Sequence, residues 1–368
     1  MSLIEEMNRK ATALGIPLGA HLDITWRCNE RCVHCYLDHE GKDEMSTAEI
    51  KDVIRQLADA GTFFLTISGG EPLLRRDCFE ILEYARELRF NVKLKTNAVM
   101  IGPKQADRLR ELAIEKVQVS IYSHRPEVHD AITKLPGSHR RSLDAIRRLT
   151  AHGVKVSIAN VLMKPNAGDG KAVKQLADEL GVEFNIDPTI TPKLDGDRSI
   201  LDLNVDTAAL KEVFNAAEFV GNVGEFCAPV STVDENVLDG YSCSAGHTLA
   251  YISPKGEVFP CVQFPMPCGS LREQSFRDIW WRSEALIDLR SVHVRDLPTC
   301  SQCSHTAYCS RCPGLAYLEG NFRGPSSQDC EKSFARTGIP TAGQLMGHRE
   351  AVAAAALVQI AGVQLVAS

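Results

Sequence analysis

The sequence predicts an α/β protein, a parallel sheet with helices outside it, followed by a small cysteine-rich domain. Between residues 21 and about 191, short β-branched runs alternate with amphipathic helical segments six times. Beyond them, nine of the thirteen cysteines fall between Cys227 and Cys330. That stretch is too turn-rich to build much apolar core and must be held by metal.

The elements follow in order. His21–Arg27 reads as the first strand. Ser46 opens a helix with Glu49 three residues on, a capping box. Its apolar face is Ile50, Val53, Ile54 and Leu57, and Gly61 ends it. Strands at Thr62–Ile67 and Asn91–Thr96 come next, then a helix from Pro103 carrying Leu109 and Leu112. Lys116–Tyr122 is the fourth strand, before a helix with Leu143, Ile146 and Leu149 closed by Gly153. Val154–Met163 is the fifth, before a helix with Val173, Leu176 and Leu180 closed by Gly181. Glu183–Thr191 is the sixth. A bridging helix is expected across Ala208–Val220. The expected domains are an N-terminal extension (1–20), the β/α domain (21–195), a bridging region (196–239), the cysteine-rich domain (240–335) and a helical tail (336–368).

Composition excludes several functions. The 368 residues carry a net charge of −6 with both signs interspersed, which leaves no basic footprint for nucleic acid. No signal peptide is visible, so an odd number of clustered cysteines points to metal in a reducing cytoplasm rather than to disulfides. The Ala-rich run from Ala351 to Ala367 falls short of the roughly 20 apolar residues of a membrane span and reads as a packed helix.

The loop Cys28-Asn29-Glu30-Arg31-Cys32-Val33-His34-Cys35 carries the chemistry. Three cysteines with no fourth close behind can ligate a cubane iron–sulfur cluster and leave one iron open, whereas a closed structural site would use four. A zinc or redox triplet is the alternative. After the second strand stands Ser68-Gly69-Gly70-Glu71-Pro72. Its glycines allow close backbone approach at a strand's carboxyl end, and its glutamate can accept from an ammonium group. Small polar residues at later strand ends, Thr96, Asn97, Ser120 and Asn160, are further candidate contacts, or turn caps. Downstream come Cys243, Cys261, Cys268 and Cys300-x2-Cys303-x5-Cys309-x2-Cys312, then a lone Cys330. Paired cysteines of this kind also occur in zinc ribbons, but the five-residue spacer is short and three cysteines would be left over. Cys78 reads as an inert core cysteine. Trp280 and Trp281 fit a helix packed between domains.

The N-terminal triplet, with Tyr36 after it and Gly-Gly-Glu-Pro downstream, resembles the radical S-adenosylmethionine (SAM) enzymes. The C-terminal cysteines resemble the SPASM domain, apart from a two-residue Cys309–Cys312 gap where three is usual. The likeness spans roughly residues 20–335 and is nearest the peptide maturases of pyrroloquinoline quinone and mycofactocin precursors. It implies a partial (β/α)6 TIM-like barrel with a SPASM domain. It further implies a 4Fe–4S cluster on Cys28, Cys32 and Cys35, and SAM on that cluster's open iron. SAM would be bound by Tyr36, Ser68, Gly69, Gly70, Glu71, Pro72, Asn97, Ser120 and Asn160. His34 would pack near the adenine.

By the same resemblance Cys300, Cys303, Cys309 and Cys330 bind an outer auxiliary cluster. Cys243, Cys261 and Cys312 bind an inner one, whose fourth ligand is Cys268, Cys227 or substrate, with Cys268 favoured. The implied chemistry is reductive SAM cleavage to a 5′-deoxyadenosyl radical, which takes hydrogen from a ribosomally made peptide. Expected partners are that peptide, a flavodoxin or ferredoxin electron donor and a separate leader-recognition protein, since only about twenty residues precede the first strand. Sulfatase-type oxidation is disfavoured, because Val262 stands where those relatives place an aspartate base. The alternatives are a tetrapyrrole side-chain modifier, whose known forms carry fewer auxiliary cysteines, and a non-catalytic iron–sulfur sensor or scaffold.

Overall fold

The computed structural model describes residues 3–37, 39–193, 197–221, 223 and 235–347. Six strands lie parallel and in sequence order: β1 Gly19–Asp23, β2 Phe64–Ser68, β3 Asn91–Thr96, β4 Lys116–Ser120, β5 Val156–Val161 and β6 Glu183–Asp187. The helices between them include α2 Thr47–Asp59, α3 Cys78–Glu87, α4 Pro103–Glu111, α5 Pro126–Thr133, α6 Ser138–Ala151 and α7 Gly170–Glu179, with α1 Leu3–Leu14 before β1. The Ser46–Glu49 capping box forms, and α2 buries Ile50, Val53, Ile54 and Leu57 as its periodicity predicts. Helix α5 was not anticipated: it begins at a proline and buries His129 and Thr133, an unlikely core stripe.

Three further strands complete the sheet. β7 Leu249–Ile252 pairs in parallel with the free edge of β1, and β8 Glu257–Phe259 and β9 Gly269–Ser270 follow antiparallel. The expectation of a separate domain from residue 240 therefore meets a different grouping. Contacts divide the chain into two compact units, one of 1–206 with 244–291, the other of 207–243 with 292–368. The helix Phe276–Arg282 belongs to the first. Its fully buried Trp280 donates through Nε1 to the Gly15 carbonyl at 2.7 Å, just after α1, so this tryptophan anchors the helix within the β/α unit.

In the second unit, Ser327–Thr337 packs against Thr207–Phe214 through a Thr207–Glu331 hydrogen bond and Arg336 stacked 4.3 Å over Phe214. The helix expected across Ala208–Val220 is two pieces, Thr207–Phe214 and Ala217–Val220. Cys227 and the tail beyond 347 lie outside the described residues. No helix among the described residues is long and apolar enough to cross a membrane.

Candidate active site

The carboxyl ends of β1 to β6 open on one cavity of about 530 Å³. Six adjacent strands of one sheet can share a cavity only if the sheet curves round it, as a partial barrel does. Cys28, Cys32 and Cys35 line it, together with Tyr36, Ser68, Gly69, Gly70, Asn97, Ser120 and Asn160. These sequence-predicted residues meet in one place.

The cysteine loop is held from both sides. Arg31 and Val33 donate backbone N–H groups to the carbonyls of Thr133 and Ile132 at the end of α5, at 2.9 and 3.0 Å. On the other side, Asn97 Nδ2 donates to Asn29 Oδ1 at 2.8 Å and lies 3.9 Å from Cys28 Sγ. Burial pushes the Cys28 thiol up to about 12 and raises Cys32 and Cys35 as well. Ligation must therefore release protons. Three thiols lining one cavity can ligate a polynuclear cluster and leave one metal open.

The glycines also have a packing role. A Cβ on Gly69, whose φ is +138°, would meet the Thr25 carbonyl oxygen at 2.1 Å; one on Gly70 would meet those of Arg27 and Trp26 at 2.4 and 2.6 Å. Gly70 N–H donates to Thr25 at 2.7 Å and Glu71 N–H to Arg27 at 2.9 Å. The glycines thus seat the chain leading into the cysteine loop while still lining the cavity.

Glu71, expected to accept from an ammonium group, is bonded within the protein. It is fully buried, and its carboxylate is occupied by Thr96 Oγ1, the Asn97 N–H at 2.8 Å and the Leu73 N–H at 3.1 Å. Burial raises its pKa. Pro72 begins the short 3-10 turn that Glu71 caps and, like Glu71, is not among the residues lining the cavity.

Other polar atoms stay open. Asn160 Nδ2 donates to the Ile121 carbonyl at 2.8 Å, leaving buried Oδ1 without a partner. His34 stacks edge-on against Tyr122 with centroids 4.8 Å apart. Its Nδ1 is unpartnered, and burial lowers its pKa to about 4. A neutral, unsatisfied ring and a bare amide oxygen beside three thiols fit a polar cofactor such as SAM.

Sequence reasoning missed the deeper polar wall. His21 Nε2 lies 3.1 Å from Asp23 Oδ1, and Tyr251 of β7 donates to Asp23 Oδ2 at 2.9 Å. His21, Lys95, Gln118, Asn185 and Asp187 line the cavity, with Val262 and Gln263 from the segment after β8. Burial lowers the pKa of Lys95, as it does that of His21. Cys261 lies in the electrostatic surroundings of both Tyr36 and Lys95.

Cys268 is placed apart from that wall. It is buried, with Sγ 3.4 Å from the Met266 carbonyl oxygen, and Arg290 acts on it electrostatically. Its backbone N–H donates to the Val258 carbonyl at 2.9 Å, beside the pairing of Val258 with Gly269. Cys78 is fully buried on α3.

In the second unit a cavity of about 350 Å³ is lined by Cys300, Cys303, Cys309 and Cys330 together. Ser333 Oγ donates to Cys309 Sγ at 3.4 Å and Ala342 N–H to Cys303 Sγ at 3.5 Å. These four thiols and the donors aimed at them fit an iron–sulfur cluster. Arg311 donates to Ser242 Oγ at 3.3 Å, which sets the chain segments bearing Cys312 and Cys243 side by side.

Comparison with known proteins agrees with this chemistry. Residues 22–176 match the radical SAM superfamily, and residues 243–313 match the SPASM iron–sulfur cluster-binding domain. The chain is 29% identical over 317 residues to the AdoMet-dependent heme synthase of Methanosarcina barkeri, covering 80% of this chain and 90% of that protein. It is also 29% identical over 321 residues to the mycofactocin maturase MftC of Mycobacterium tuberculosis, covering 83% and 80%. Among solved structures, Streptococcus suis SuiB bound to its precursor peptide SuiA superposes with a TM-score of 0.70 at 18% identity, covering 88% of this chain and 78% of that one. A radical SAM domain carries a 4Fe–4S cluster and SAM, and a SPASM domain carries auxiliary iron–sulfur clusters. The chain is a radical SAM enzyme with a C-terminal SPASM domain.

Proposed function

We propose that this enzyme modifies a ribosomally synthesised peptide by crosslinking, thioether formation, epimerisation or oxidation. The observation that carries the reading is the single strand-end cavity. It places three thiols and unsatisfied polar atoms at one end and a deep polar chamber behind them. Likeness to a mycofactocin maturase supports a peptide.

When bound, the cluster and SAM supply a 5′-deoxyadenosyl radical that removes hydrogen from substrate. Cys28, Cys32 and Cys35 hold the cluster. Tyr36, the Ser68–Gly70 run, Asn97, Ser120 and Asn160 line the space for SAM, with Asn160 Oδ1 free to accept. Glu71 acts behind them, fixing Thr96 and Asn97, and Pro72 begins the turn that Glu71 caps. Cys300, Cys303, Cys309 and Cys330 hold one auxiliary cluster, and Cys243, Cys261 and Cys312 contribute to a second. Electrons come from a flavodoxin or ferredoxin, and a separate protein presents the leader of the peptide. Val262 puts no carboxylate on the cavity wall, which disfavours sulfatase-type oxidation.

A second reading, tetrapyrrole side-chain modification, is favoured by the heme synthase relatives, which match as well as the maturase does. Anaerobic incubation with SAM and dithionite tests both readings: no 5′-deoxyadenosine would remove them. Mass spectrometry and chiral amino-acid analysis of the peptides encoded beside the gene then separate them, since peptides unchanged by both leave the tetrapyrrole.

A further inference from the structure

Lys95 is the one lysine or arginine among the described residues lining the strand-end cavity. On β3, Val92, Leu94 and Thr96 are buried, and strand alternation turns Lys95 to the opposite face, into the chamber. It stands level with Gln118 of β4, whose side chain also lines the cavity.

Its ammonium makes no hydrogen bond or ion pair with any described residue. The carboxylates that act on it electrostatically are Asp23 and Asp187. Both are engaged elsewhere, Asp23 by His21 and Tyr251, and Asp187 by the Thr189 N–H at 3.0 Å. Lys95 stays solvent-accessible on the cavity wall, so its ammonium is hydrated there and open to an incoming group. A cation held that way in a ligand cavity is complementary to an anionic group on the molecule that fills it.

We propose that Lys95 receives a carboxylate of the substrate and so fixes how deep the substrate stands relative to the Cys28, Cys32 and Cys35 end. The inference rests on the cavity being the reaction chamber. A compact ammonium flanked by one amide suits a single carboxylate better than it suits a dianion. Carboxylates are common to both substrate classes, as a peptide C-terminus or acidic side chain, or as tetrapyrrole propionates.

The test reads Lys95 directly. Reconstituted, SAM-loaded enzyme is reductively methylated in the presence of acetyl-Ala-Ala-Ala as free acid or carboxamide, and of iron coproporphyrin III as free acid or tetramethyl ester. Peptide mapping then gives the rate at Lys95. At least one acid should protect about tenfold better than its neutral partner, and the pair that does so identifies the source of the carboxylate.

Binding affinities should show the same preference in wild type, lose it in Lys95→Met and keep it in Lys95→Arg. Equal protection by acid and neutral probes in both pairs overturns the proposal, as does a preference that survives Lys95→Met or is lost in Lys95→Arg. Formation of 5′-deoxyadenosine by the wild-type enzyme is scored separately. Its absence removes the radical reading, whereas the methylation result speaks to Lys95 alone.

Discussion

The Glu71 carboxylate accepts the Thr96 hydroxyl at 2.8 Å, tying the Gly-Gly-Glu-Pro turn to the end of β3. The same carboxylate takes the Asn97 N–H. Because it already meets three donors, Glu71→Gln sets an amide N–H against one of them. We expect a stability loss of about 1–3 kcal/mol in urea unfolding and weaker SAM binding, because Asn97 is no longer fixed. Unchanged unfolding would mean that the carboxylate is not a structural acceptor.

Gly70→Ala drives a methyl into the Arg27 and Trp26 carbonyl oxygens, so the segment entering the cysteine loop must move. Iron bound after anaerobic reconstitution should fall for this variant. Gly168→Ala, which meets nothing within 4 Å, should leave it unchanged.

Alanine at any one of Cys300, Cys303, Cys309 or Cys330 should cost about the four irons of one 4Fe–4S cluster. Cys268→Ala should cost none, since Cys268 lines neither this cavity nor the strand-end one. Zinc in place of the lost iron, measured by elemental analysis, would contradict the auxiliary iron–sulfur assignment.

His129 is buried, and its Nδ1 accepts the Tyr122 N–H at 3.1 Å, which requires a neutral ring. Burial lowers its pKa to about 4, whereas the unfolded chain titrates near 6.5. Between those values the unfolded state binds the extra proton, so stability falls as pH drops from about 6.5 to 4, by roughly 3 kcal/mol at most. Glutamine at this position keeps an acceptor without titrating. His129→Gln should flatten the slope of unfolding free energy against pH over that window.

The helices and strands that carry the barrel were legible where periodicity is strong. The apolar face of α2 and both ends of β3 lie where the pattern placed them. The lumen was not legible. Asn91-Val-Lys-Leu-Lys-Thr96 alternates as a half-solvated strand does, and alternation cannot distinguish bulk water from an enclosed chamber. The sequence pattern alone therefore marks neither Lys95 nor His21 as a residue of the chamber. Gly-Gly-Glu-Pro was found by its motif, but the jobs of its residues depend on β1 and β3, which the motif does not contain.

β7 seals the outer edge of β1, although about 230 residues of chain separate the two strands. During synthesis the first strand of the sheet exposes unpaired N–H and C=O groups until nearly seven-tenths of the chain has emerged. The nascent protein thus spends most of its translation with an open edge able to pair with other chains. Truncation just before Leu249 would make that vulnerability permanent, yielding aggregates rather than a smaller working barrel.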